Sequence, residues 1–130
     1  IHVTEQGILL VKDKITEQWM VPGGILDKTE KEIDGMRRGI LAETGLTIDS
    51  EIKLLSITEE DFYDIYLNEG SHVTRTFYLV KNIVSGTLMS QGNGVYTSAA
   101  AYIPHNVWER FSDKEMKKNY REILKKAQEI

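Results

Sequence analysis

The side chains in this chain that could do chemistry are mostly acids. There is no cysteine, which excludes disulfides and thiolate metal sites. His2, His72 and His105 are scattered along the chain, so a histidine metal site is not expected. No Ser/His/Asp or Cys/His nucleophile set can be proposed from the sequence. Carboxylates remain. Glu30, Glu32, Asp34 and Glu43 share a stretch with Arg38, and Glu59, Glu60, Asp61 and Asp64 form a second acidic run. Carboxylate oxygens suit hard divalent cations, and a guanidinium suits carboxylates or phosphates. The second run has a plainer reading as a solvated loop. Phe62, Tyr63 and Tyr66 could stack on a nucleobase, although a strand with one face in the core calls for similar residues.

The first acidic stretch needs a helix to position it. Thr29-Glu30-Lys31-Glu32 has the form of a capping box, with Thr29 as N-cap and Glu32 as its partner. Ile33, Met36, Ile40 and Leu41 then fall on one stripe, and Gly45 is a natural stop. The opposite face carries Glu32, Gly35, Gly39, Ala42 and Glu43. Two interior glycines cost about 1 kcal/mol each relative to alanine, and local preference does not explain them. Gly23 and Gly24, which end the short strand Trp19-Met20-Val21 after Pro22, read as a tight turn at positive φ. Glu30 suits the loop or the first helical turn, where a negative charge favours the helix dipole.

Further strands are expected at Gly7 to Val11, Ile52 to Ile57, Val73 to Val80 and Ala99 to Ile103, with a turn at Gly70-Ser71 and a loop over 85–94. Ser112-Asp113-Lys114-Glu115 is a second capping box, opening a helix with Met116, Tyr120, Ile123, Leu124 and Ala127 on one face. Trp19 reads as core, and Trp108 and Phe111 as packing the short segment before the last helix. Strands around two helices give a mixed α/β (α+β) domain.

The chain has 130 residues and a formal net charge of −4, which fits a single domain over 1–130 with a real core. An isoelectric point near 5.4 argues against nucleic-acid binding, which needs a basic patch. No apolar run approaches the length of a membrane span. No signal peptide is evident, and the start Ile1-His2-Val3-Thr4 lacks an initiator Met and reads as trimmed. A cytoplasmic location is the expectation.

The stretch from Trp19-Met20-Val21-Pro22-Gly23-Gly24 to Leu46 resembles the Nudix box, G-x5-E-x7-R-E-U-x-E-E-x-G-U with U aliphatic. Gly24, Glu30, Arg38, Ile40, Glu43, Gly45 and Leu46 occupy seven of its nine fixed positions in register. Two fixed positions depart: Gly39 and Ala42 stand where the family has glutamates. The resemblance implies the Nudix fold, a mixed β-sheet sandwiched between α-helices, with the box (24–46) forming loop–helix–loop. It also implies MutT-like hydrolysis of nucleoside diphosphates linked to another moiety, with Mg²⁺ or Mn²⁺, and a small-molecule nucleotide or nucleotide derivative as partner. A homodimer is common among relatives.

In that family, glutamates at the places of 39, 42 and 43 converge on one helical face and hold the metal. Here Glu43 alone is left as metal ligand. Arg38 stands where the family's arginine orients the first glutamate; without it, Arg38 can take a phosphate, Glu30 or Glu43. Glu43 and Arg38 are therefore the catalytic candidates, and Gly23, Gly24 and Glu30 the substrate-binding ones. Metal charge stabilisation supplies several kcal/mol to such a transition state, and each ~1.4 kcal/mol is tenfold in rate. The expectation is a weak or lost pyrophosphatase, unless acids at 59–64 replace the missing ligands, or a silent nucleotide-binding domain. Replacing both small residues, Gly39→Glu/Ala42→Glu, is the expected way to restore the site.

Overall fold

The computed structural model describes residues 1–64 and 67–130. The central ladder is β2 (Gly7–Asp13), an apolar run buried from Gly7 to Val11. On one edge it pairs with β1 (Val3–Thr4) and β3 (Trp19–Met20), and on the other with β8 (Thr97–Ile103). β4 (Leu46–Ile48) pairs with β7 (Ile83–Gly86), so the expected loop over 85–94 begins as strand. β5 (Ile52–Asp64) and β6 (Glu69–Val80) form a long two-stranded hairpin. Every ladder among the described residues is antiparallel.

The hairpin corrects two expectations. The acidic run 59–64 is strand rather than loop, because each residue has a cross-strand partner, from Glu59 opposite Thr74 to Asp64 opposite Glu69. Gly70 and Ser71 lie inside β6, opposite Tyr63 and Phe62, so the turn falls before them. One residue, Leu55, is extra in β5: Leu54 pairs with Tyr78 and Ser56 with Phe77. This bulge buries Leu55. Of the three stacking candidates, Tyr63 is exposed, Tyr66 lies outside the described residues, and so does the side chain of Phe62.

The box helix α1 spans Glu32–Thr44 and is stopped by Gly45 at φ 79, a left-handed position glycine adopts without strain. Its start differs from the capping-box expectation. Lys31 is the N-cap and no side chain caps it, because Glu30 is drawn to Arg38 and Glu32 to the Tyr78 hydroxyl. The expected apolar stripe also splits. Ile40 is buried, whereas Ile33 and Leu41 are exposed and the glycines Gly35 and Gly39 are buried instead.

α2 (His105–Trp108) carries the buried Trp108. The second capping box closes a single turn, with Glu115 accepting from Ser112 N–H and hydroxyl; the regular helix α3 begins later, at Lys118–Gln128. Tyr120, Ile123, Leu124 and Ala127 of α3 join Met116, Trp108, Ile8, Leu10, Leu55 and Phe77 in the main core, with Trp19 and Phe111 packed against it. Ile40 packs with Ile48 and Val80 in a smaller cluster on the α1 side. Helices thus cover two sides of the strands. Among the described residues no helix is long and apolar enough to cross a membrane.

Candidate functional site

The β3–α1 connection lies directly on the box helix. A Cβ at Gly39 would stand 2.5 Å from Gly23 C and Gly24 N and 2.6 Å from Gly23 O, distances that non-bonded atoms do not adopt. One turn earlier, a Cβ at Gly35 would meet Glu30 Oε1 and Leu26 Cδ1 at 2.9 Å. The two interior helix glycines therefore admit the loop against the helix. Gly23 and Gly24 are not among the positive-φ residues, which corrects the tight-turn reading. A Cβ at Gly24 would lie 3.2 Å from Gly39 Cα, while one at Gly23 would meet nothing within 4 Å. Their common feature is closeness to the helix.

This contact bears on the missing carboxylates unequally. Position 39 has no room for a side chain, because loop backbone fills it. Position 42 is exposed and can carry one. The Gly39→Glu/Ala42→Glu replacement is therefore not a simple reversal of two losses, since half of it requires the loop to move.

Glu43 is half-buried, and its Oε1 accepts the Gly23 N–H at 2.7 Å. Burial raises its carboxyl to about 7, opposed by the Gly23 hydrogen bond and reinforced by the charge of Asp13. Arg38 faces the loop. Its Nε donates to Glu30 Oε2 and its Nη2 to Glu30 Oε1 and to the Ile25 carbonyl, each at 2.9 Å. Glu30 Oε1 also accepts the Asp27 N–H at 3.2 Å. The Arg38 fork, with that N–H, holds the Glu30 carboxyl down at about 2. Of the three partners open to Arg38 in sequence, the structure pairs it with Glu30.

The second acidic run divides by strand alternation. Glu59 and Asp61 flank His72 on an exposed face. Glu60 turns the other way, pairing with Arg75 and accepting from Asn119 Nδ2 at 3.3 Å. Arg75 Nη1 in turn donates to the Tyr120 hydroxyl at 3.1 Å. Burial raises the Tyr120 hydroxyl; Arg75 opposes this, while Glu60 and Glu43 add to it. Glu60 is thus the member of the run that acts, with Glu43, on one buried group. The Asp64 side chain lies outside the described residues.

Sequence reasoning passed over two residues beside this site. Asp13 acts on Glu43, and Asn93 donates from Nδ2 to the Ala42 carbonyl at 3.3 Å. Neither carries a local signal, because each reaches the box across the fold.

These residues do not make a fitting metal site. Among the described residues no three His, Asp or Glu side chains group closely enough to hold an ion. Two shallow concavities lie elsewhere, one at Asp61, Tyr63, Gly70 and Ser71, the other along Ile52, Leu79, Val80 and Ile130.

The sequence model described as NUDIX domain matches residues 1–127. No curated protein sequence matches the chain significantly. Solved structures do. A mutator MutT protein from Bacillus halodurans superposes with a TM-score of 0.75 at 18% identity, over 96% of this chain and 76% of that one. A NUDIX hydrolase from Nitrosomonas europaea gives 0.77 at 16% identity, over 99% and 84%. The NUDIX domain of Shewanella oneidensis NrtR, complexed with ADP ribose, gives 0.72 at 16% identity, over 98% and 80%. At these identities the likeness is one of fold.

Proposed function

The chain belongs to the NUDIX domain family, and from that premise we propose that it binds a nucleoside diphosphate derivative beside the box helix and hydrolyses it weakly or not at all. The observation that carries this reading is the loop backbone seated where a side chain at 39 would project. Divalent metals are the family's general means of offsetting charge on a diphosphate. Here Mg²⁺ or Mn²⁺ would meet one box carboxylate, Glu43, with no third acid grouped near it among the described residues. Binding asks less of the site than turnover does. The Arg38 guanidinium, held beside the Gly23–Gly24 loop by Glu30 and the Ile25 carbonyl, can position an anionic ligand without a resident ion. The ADP ribose bound by a domain of the same fold supports a nucleotide derivative as the ligand class.

Product release from nucleoside di- and triphosphates, dinucleotides and nucleotide sugars, with Mg²⁺, Mn²⁺ or chelator, tests the reading alongside thermal melting with the same compounds. Ligand-dependent stabilisation of about 2.7 kcal/mol at a hundredfold excess over Kd, with little or no turnover, is the expected result. Efficient metal-dependent turnover abolished by Glu43→Gln would show instead a working site built on Glu43 and outside ligands, with Glu60 first among them.

A further inference from the structure

Residues 92–97 hang on one side chain. Asn93 Oδ1 accepts from the backbone N–H of Val95, Tyr96 and Thr97 at 2.9, 3.0 and 3.2 Å. Asn93 Nδ2 donates to the Ala42 carbonyl at 3.3 Å, so the same amide ties this loop to the box helix. An asparagine suits both tasks, since its amide oxygen accepts and its amide nitrogen donates. Its own backbone N–H donates to Thr97 Oγ1 at 2.9 Å. The next residue is glycine, which is true of no other asparagine in the chain: Asn68, Asn82, Asn106 and Asn119 precede Glu69, Ile83, Val107 and Tyr120.

A glycine after asparagine leaves the main-chain nitrogen unshielded, because no Cβ stands beside it. Gly94 is exposed at φ 76, and a Cβ there would meet nothing within 4 Å. Once it has lost its proton, that nitrogen can attack Asn93 Cγ. Two features of the loop favour the step. Negative charge develops on Oδ1 as the bond forms, and three N–H groups already converge on Oδ1. Lys14 Nζ donates to the Gly94 carbonyl at 2.8 Å, which sets a positive charge beside the nitrogen that must become anionic. One feature opposes it. Gly94 N–H donates to the Thr97 carbonyl at 3.2 Å, and this bond has to open first.

We propose that Asn93 is a site of self-modification, at which the Gly94 nitrogen displaces the side-chain amide and irreversibly releases the loop from the box helix. The bond from Gly94 N to Asn93 Cγ forms, the Cγ–Nδ2 bond breaks, and Nδ2 leaves as ammonia with the proton that Gly94 gave up to solvent. Water then opens the cyclic imide at either carbonyl, giving aspartate or isoaspartate. The net change is one water in and one ammonia out, with nothing oxidised. Either product lacks the donor to Ala42. Aspartate sets a carboxylate oxygen against the Ala42 carbonyl, acceptor against acceptor, but still offers an oxygen to the three N–H groups. Isoaspartate routes the main chain through Cβ, so its carboxyl no longer sits where those groups converge. The inference stands apart from the nucleotide reading, and it makes the age of the chain a regulator of the box at position 42.

The test holds folded protein and a urea-unfolded sample in mildly alkaline buffer and follows every asparagine by peptide mapping and mass spectrometry. Asn93 is expected to convert in the folded protein while the other asparagines stay intact. In the isoaspartate fraction the amides of Val95, Tyr96 and Thr97 should lose their protection from hydrogen exchange, whereas Asn93→Asp should keep it. The Ala42 carbonyl carbon resonance, which reports the hydrogen bond it accepts, should move in the aged protein and in Asn93→Asp alike. If Asn93 is intact in the folded protein when the urea sample has converted there, the proposal is overturned. Conversion spread evenly over all the asparagines overturns it too. An Ala42 resonance that stays in place after conversion overturns the release.

Discussion

Gly39→Ala is the sharpest probe of the loop–helix contact, because local and tertiary effects oppose each other there. In an isolated helix, replacing an interior glycine by alanine gains about 1 kcal/mol. Here the added Cβ lands 2.5 Å from two loop backbone atoms, and backbone yields less readily than the end of a side chain. Overpacking of a well-filled site costs about 1–3 kcal/mol, and this contact belongs at the upper end. The expected net effect is a loss of about 1–2 kcal/mol, read as a lower urea midpoint at unchanged slope. Gly23→Ala is the control. Its Cβ would meet nothing within 4 Å and its φ is not positive, so it should leave stability unchanged or raise it by up to about 1 kcal/mol. A Gly39→Ala protein more stable than its parent would refute the contact, since helix preference would then be acting alone.

Glu43→Gln should stabilise the fold in a pH-dependent way. The folded carboxyl titrates near 7 against an ordinary 4.5, so the folded state binds the proton more tightly than the unfolded one. Stability conferred by the neutral acid is full below about 4.5 and is lost as pH rises through about 7. At pH 8 the variant should gain at most about 3 kcal/mol, and at pH 4 almost nothing, measured by urea unfolding at both values. Glu30 has the opposite sign. Its carboxyl is held at about 2, so its contribution is present above its ordinary value of 4.5 and fades as pH falls towards 2. Glu30→Gln should open the 25–30 loop at neutral pH, seen as faster amide exchange there; unchanged exchange would deny the clamp.

The box was legible because its order is local: strand, glycine pair, helix, left-handed Gly45. The terminal helix face was legible for the same reason, since Tyr120, Ile123, Leu124 and Ala127 follow the helical repeat. What could not be read is what each residue meets across the fold. The cost of Gly35 and Gly39 was visible, and its cause was not, because the loop that fills their space lies up to sixteen residues away in sequence, from Gly23 to Gly39. Thr29 and Glu32 spell a cap, yet Glu32 finds Tyr78, 46 residues on. The run 59–64 spells a loop by charge, yet Arg75 on the neighbouring strand takes Glu60. Asn93 gave no signal at all, since one asparagine in a polar segment looks like any other.

The extra residue in β5 sets the phase of everything after it. Before Leu55, even-numbered positions such as Ile52 share a face with Val80, towards the cluster that holds Ile40. After it the parity inverts. Ser56, Thr58 and Glu60 pair with Phe77, Arg75 and Val73, on the side of Tyr120. One inserted residue thus selects which acids of the run are paired inward and which are left around His72. In a strand without it, Glu59 and Asp61 would point towards Tyr120 and Glu60 would stand in water. The identity of the inward acid is written five residues upstream of it, in a hydrophobic side chain that touches none of the chemistry.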